Sequence, residues 1–289
     1  MSLNLIKDIK SALANLNPTE VRRLSERTVS VGVAAASESA YASLEKFLTG
    51  VGGTGSASHI HRVSANSALD LHDVVLCAEG TPCPPGAFVF FPNMLQQTIE
   101  SILDAKQELE IPLARQFPVF RQSVLTRIIQ RTSRENAMFS IVTALPNVVP
   151  NLLELPWTVG EFATDTAFLT INQVRMAFLI AAANGKPVGY AEQKMELASI
   201  AAGAFGWRAL ARELIGKIPL GGGLIPKAAI AFAGTYVVGL GLERLHRTGS
   251  SMDRNEAKVA YAQALEKGKG IAKSLIAGIK PGSKKRNAA

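Results

Sequence analysis

Cysteine is nearly missing from this chain: 289 residues contain only Cys77 and Cys83. The two stand too close in sequence to staple distant segments, and they lack the CxxC spacing of a redox or zinc site. That excludes a disulfide scaffold and predicts reduced thiols in a cytoplasmic setting. Charge is sparse too, at 19% of residues, and leans to one sign, with a formal net charge of +8. No GxSxG, no HExxH and no paired catalytic carboxylates occur, so no catalytic residue is nominated. Long hydrophobic runs are also lacking. A spanning helix needs roughly 20 consecutive apolar residues, but residues 136–153 contain Pro146 and Pro150, and residues 218–242 include Lys227 and the glycines at 221–223. Residues 228–242 are uncharged but short. The opening MSLNLIKDIK carries charges where a signal peptide needs an apolar core, so the chain is not expected to be secreted.

What is present is apolar and basic. Hydrophobic residues make up 47% of the chain, and with the positive balance this favours a partner that is apolar, anionic or both. The length suits two domains. Residues 1–26 read as an N-terminal helical segment, with Pro18 as a break and Thr19 as a cap for the turn after it. Residues 27–92 contain the β-branched runs RTVSVGV, SHIHRV, DVVLC and AFVFF between turn-rich pieces, with one clear crossover helix at 39–48. They form a small α/β unit. Residues 93–279 read as helix throughout, with candidates at 93–110, 117–145, 161–184, 189–215, 225–247 and 253–277, and residues 280–289 as a basic, disordered tail. The expected fold class is α+β: a small α/β N-terminal unit followed by a larger all-α helical bundle.

The stretch VSVGVAAASESAYASLEKFLTG, residues 29–50, has the strand, small-residue loop and helix of a phosphate-binding start. A working P-loop needs glycines to curl backbone N–H groups around phosphate, a lysine for charge and a hydroxyl for magnesium. Laid against an Era-like small GTPase, which the stretch resembles down to its closing LTG, the first glycine falls on Ala35, the second on Ala40, the lysine on Tyr41 and the hydroxyl on Ala42. A guanine-reading NKxD or TKxD is also missing. The expectation is a degenerate GTPase-like unit without cofactor.

In the helical part, DTAFLTINQVR at 165–175 places a polar stripe of Asp165, Thr166, Thr170, Asn172 and Gln173 on a mainly apolar helix. Three readings stand open: a buried hydrogen-bond network that fixes register, a ligand or partner site, and a solvent face. The segment DTAFLTINQVRMAFLIAAANG, followed by GWRALARELIGKIPLGGGLIPKAAIAFAGTYVVGLGLERLHRTG, resembles the helical domain of unknown function found behind Era-like GTPase domains and in YcjF-type inner-membrane proteins. The resemblance covers about residues 120–250 and rests on Asp165, Leu169, Thr170 and Gln173 and on the closing Gly/Ala-rich helix. It implies association with membranes and with a GTPase partner, and no reaction.

Basic residues supply candidate lipid or partner contacts. Arg127, Arg131 and Arg134 form a stripe that can meet lipid headgroups, an acidic partner, or internal carboxylates such as Glu135 or Glu161. Lys280, Lys284, Lys285 and Arg286 crowd the tail, where each basic residue near an anionic leaflet is worth about 1 kcal/mol. His59 and His61 alternate along a strand with His72 nearby, but no acidic or thiolate set completes a metal site, and none is assigned. Nucleic acid is disfavoured, because no recognised motif accompanies the charge. The sequence leads to a non-catalytic adaptor or scaffold, cytoplasmic or on the cytoplasmic face of a membrane, of open oligomeric state. The alternative is a soluble nucleotide-dependent enzyme with an unconventional site, and a nucleic-acid-binding protein ranks third.

Overall fold

The computed structural model describes residues 17–50, 56–64, 71–144, 165–200 and 223–278. The fold is α+β, with a four-stranded parallel sheet near the N-terminus and a helical C-terminal region. Helix α1 spans Pro18–Glu26, followed by β1 at Val31–Ala34 and α2 at Glu38–Thr49. Strands β2 (Ile60–Arg62), β3 (Val74–Ala78) and β4 (Phe88–Phe90) follow. The helices after them are α3 (Leu95–Ala105), α4 (Glu110–Gln116), α5 (Pro118–Val142), α6 (Asp165–Ala183), α7 (Leu224–Thr248) and α8 (Arg254–Gly278). Two compact units result. One comprises Thr19–Arg127 with Leu179–Gly189, and the other Met1–Pro18, Ile128–Phe178 and Tyr190–Ala289. Their boundaries fall inside α5 and α6.

The sheet order is β2-β1-β3-β4, with Val31 opposite both Ile60 and Val74, and Leu76 opposite Phe88. Every residue of the inner strands β1 and β3 is buried, which is why both read as continuous apolar runs. The edge strands β2 and β4 expose part of their length. Helix α2 packs through Leu44 and Leu48, one turn apart, and its Phe47 lies 4.9 Å from the Phe90 ring and 6.5 Å from Phe120. Val29, just ahead of β1, finds its backbone partners in a side chain: its N–H donates to Gln116 Oε1 at 2.9 Å, and Gln116 Nε2 donates to its carbonyl at 2.6 Å.

Three local expectations change. Pro18 begins a helix, since its fixed φ and missing N–H suit a first helical position, and the segment it was expected to end lies outside the described residues. The single helix expected at 93–110 ends at Ala105. A 3₁₀ turn at Gln107–Leu109 follows, and α4 restarts at Glu110 with Pro112 in its first turn, where no interior N–H is needed. The helix expected to start at 189 starts at 194 after a turn. Residues 3–16 and 201–215 lie outside the described residues.

In the helical unit, α7 and α8 pair through small residues. Ala229, Ala233 and Val237 meet Tyr261, Ala264 and Leu265, while Ala228 and Phe232 join Ala272, Ala137 and Ile141. A Cβ added at Gly268 would lie 2.9 Å from the Ala229 carbonyl oxygen, and one added at Gly239 would lie 2.8 Å from both γ carbons of Ile129. Phe139 and Phe168 stack at 3.8 Å between centroids, packing α5 against α6. Gly249, at φ 73, closes α7 with its N–H on the Leu245 carbonyl. Asp253 opens α8 by accepting from the Asn255 and Glu256 N–H groups, and Glu256 accepts back from the Asp253 N–H.

Two predictions follow from this packing. Gly239→Ala costs about 1–3 kcal/mol, and with Ile129→Ala, which removes both γ carbons, the double variant should be less destabilised than the sum of the two singles, because the obstruction is a side chain, whereas Gly268→Ala meets the Ala229 backbone and gains nothing from side-chain trimming. Urea denaturation of the single and double variants reads this out. Backbone hydrogen bonds hold the Asp253 carboxyl below its ordinary range, and the Arg244 guanidinium at 2.7 Å does the same for Glu256. Both folded values sit below the unfolded ones, so the stabilisation is present above about pH 4 and is lost as pH falls through the folded values. Asp253→Asn should flatten that acid limb in a stability-against-pH series.

Candidate functional site

Ligands of open parallel sheets bind outside the carboxyl ends of the strands where the order reverses, here between β1 and β3. At that place residues 35–37 alone separate β1 from α2. Ser37 is the N-cap and its Oγ accepts from the Ala40 N–H at 3.2 Å. The Ala36 N–H donates to Thr81 Oγ1 at 3.3 Å. Two of the N–H donors that a phosphate would need are therefore engaged by the protein's own hydroxyls. Glu38 stands in the first turn of α2 and pairs with Arg62 at 2.6 Å, and Arg62 in turn lies 4.2 Å over the Tyr41 ring. Tyr41, at the lysine position of the expected P-loop, thus holds a cation of β2 against α2 instead of supplying one. Cys77, at the end of β3, is buried, and burial together with a hydrogen bond to Cys83 pushes its thiol up to about 12.

The polar stripe of α6 meets partners on α5 and α7. Thr170, Asn172 and Gln173 are buried, while the side chains of Asp165 and Thr166 lie outside the described set. Asn136 of α5 is the hub. Its Nδ2 donates to Thr235 Oγ1 at 2.7 Å and its Oδ1 accepts from Asn172 Nδ2 at 2.9 Å. Asn172 Nδ2 also reaches Glu135 at 3.1 Å, and Gln173 Nε2 donates to Thr235 Oγ1 at 3.3 Å. Of the readings left open by the sequence, this geometry is the hydrogen-bonded one. Asn172 Oδ1 alone accepts nothing among the described residues. Asn136 and Thr235 escape sequence inspection, because they stand far from the stripe in the chain and carry no motif.

The arginine stripe divides. Arg127 contacts the Glu100 carboxylate, donates to Asp104 Oδ1 at 2.6 Å and lies 3.6 Å from buried Glu110, so it belongs to an internal ion cluster and not to a lipid or partner surface. The carboxylates differ from those expected: Glu135 serves Asn172, and Glu161 lies outside the described residues. Arg131 and Arg134 are exposed. Lys280, Lys284, Lys285 and Arg286 lie outside the described residues. His59 occupies a 3₁₀ turn ahead of β2, so it does not alternate with His61 along a strand. His61 instead stacks on His72 at 5.4 Å, and His72 Nδ1 bonds Ser30 Oγ at 2.8 Å. Among the described residues no group of three His, Cys, Asp or Glu side chains is placed to hold a metal ion.

Asn136→Leu should lower stability by about 2–3 kcal/mol by removing one partner each from the buried Thr235 and Asn172 side chains. Thr235→Val should cost less, and the double variant should fall well short of the sum in denaturant titrations, since one network is removed twice. Comparison with known proteins returns no match: no family model fits the chain, and no curated protein or solved structure is significantly similar to it.

Proposed function

We propose that the protein is a non-catalytic adaptor that associates with an anionic membrane surface on its cytoplasmic side and works there with a GTPase or other partner protein. The observation that carries this reading is the α7–α8 pair. Helix α7 has 25 residues and a mean hydropathy of 1.5 over its most apolar 18-residue window. Its partner α8 turns Arg254, Lys258, Lys267 and Lys273 outward. Lys267 Nζ sits 4.9 Å over the Tyr236 ring, so one cation of that face is anchored on α7. An apolar helix pair with a basic exposed face suits a surface that is both greasy and negative.

The βα turn supports the non-catalytic part. Ser37 and Thr81 engage its N–H groups, and Glu38 sets a negative charge where phosphate oxygens would approach. With this chemistry closed, the sheet unit is free to act as a docking body, and the partner class follows from the resemblance to domains that accompany GTPases.

Purified protein should float with vesicles containing phosphatidylglycerol and remain behind with neutral ones. Replacing Lys258, Lys267 and Lys273 by Gln should weaken that partitioning on the order of 100-fold at low salt, at about 1 kcal/mol per lysine. Complete recovery in the soluble fraction whatever the lipid would remove the membrane from the proposal. Calorimetry with Mg·GTP and Mg·ATP should be flat, and saturable binding abolished by Ser37→Ala would return the enzyme reading.

A further inference from the structure

At the opposite end of the sheet from the βα turn lies a cavity of about 360 Å³, built from the segments that lead into β1 and β2 and from α4. Its polar lining comes from Arg27, Thr28, Ser56, His59, Arg115 and Gln116, with Pro112 as an apolar wall. Among the described residues no carboxylate is in that lining. Part of the wall is fixed before any ligand arrives: Gln116 is tied to both backbone groups of Val29, and the Ser56 hydroxyl donates to the Gln116 carbonyl. The two arginines are each held by one arm. Arg27 Nη2 donates to Asp73 at 2.9 Å, and Arg115 Nη1 donates to the Ser25 carbonyl. A guanidinium has five N–H donors in a fixed fork, so each keeps donors beyond its anchor.

We propose that this cavity binds a soluble phosphate monoester. The size sits near the lower end of small-ligand sites, at roughly 300 Å³ and above. That is room for a phosphate with a short polar body. The two guanidinium forks, the His59 ring and the Thr28 hydroxyl present more donors than the two oxygens of a carboxylate accept, and they match the three terminal oxygens and double charge of a phosphate monoester. Asp73 neutralises Arg27 from one side only, which leaves Arg115 as the stronger anchor. Strand β1 separates the cavity from the occupied turn by about 10 Å at 3.3 Å per residue, so binding here is independent of the lost P-loop chemistry and of the membrane reading.

Titration calorimetry of the full chain with glycerol 3-phosphate, at constant ionic strength and with acetate as the carboxylate control, tests this. Saturable binding to the phosphate and none to acetate is expected. Arg115→Gln should weaken binding roughly 10- to 100-fold, as loss of a charged hydrogen bond does, and His59→Gln should weaken it several-fold at unchanged melting temperature. The triple glutamine variant of α8 should bind as the wild type does, which separates this site from the membrane face. No heat with glycerol 3-phosphate, equal affinity for acetate, unchanged affinity in both site variants, or binding only to phosphatidic acid vesicles would each overturn the proposal.

Discussion

A helical core this apolar can hold amide side chains only where each finds a partner, and that constraint sets the arrangement of α5, α6 and α7. Asn136, Asn172, Gln173 and Thr235 are each at least nine-tenths buried, and an amide left unpaired in such surroundings costs several times what a paired one contributes. Hydrophobic contact alone is tolerant of sliding, since Ala, Ile, Val and Phe pack against one another in many registers. Thr235 Oγ1 accepts from both Asn136 and Gln173, so rotating or translating α7 by one position breaks two bonds at once. The close approaches at Gly239 and Gly268 then become possible, because the helices already meet in the one register that brings glycine to each crossing point. The polar network supplies specificity and the apolar contacts supply most of the stability.

The sheet unit obeys a different rule. Its inner strands are buried on both sides, so function must sit at the strand ends, where loops and helix termini carry the polar groups. At the carboxyl end those groups satisfy one another: Ser37 caps α2, Thr81 takes the Ala36 N–H, and Arg62 joins Glu38 and Tyr41. At the amino end the groups around Val29 are held by Gln116, which Ser56 holds in turn, while Arg27 and Arg115 line an open cavity. The same fold thus has one end sealed by short hydroxyl side chains and another lined by long cationic ones.

The inner strands were legible in the sequence because parallel strands buried on both faces read as short apolar runs, as in RTVSVGV and DVVLC, and the partly exposed edge strands showed as SHIHRV and AFVFF between turn-rich pieces. The long helices were legible from their apolar content and their glycine and proline ends. What the chain order concealed is convergence. Arg27, His59 and Arg115 come together only because the amino ends of β1 and β2 and the end of α4 meet, and no spacing rule links positions so far apart. The Arg127 cluster was hidden for a related reason. Its periodicity with Arg131 and Arg134 suggested one basic stripe, but its carboxylate partners arrive from α3 and α4, whose break at Lys106 was itself unread. The polar stripe of α6 was visible as a pattern, while its meaning depended on Asn136 and Thr235 elsewhere.

Helix α7 shows why hydropathy needs packing beside it. Its composition would serve a bilayer as well as a protein core, since small and aliphatic side chains are at home in both. Its contacts distinguish the two. Thr235 is committed to Asn136 and Gln173, Gly239 lies against Ile129, and Ala229 lies against Gly268. A helix that entered lipid would have to exchange these contacts for acyl chains and take from the Asn136 amide its 2.7 Å acceptor, Thr235 Oγ1, in a solvent that offers no replacement. Interfacial attachment makes no such demand, because the cations of α8 already face outward while the small-residue seam stays closed. The membrane contact proposed above would therefore run over the surface of α8, with α7 as the apolar support that holds the basic helix in place.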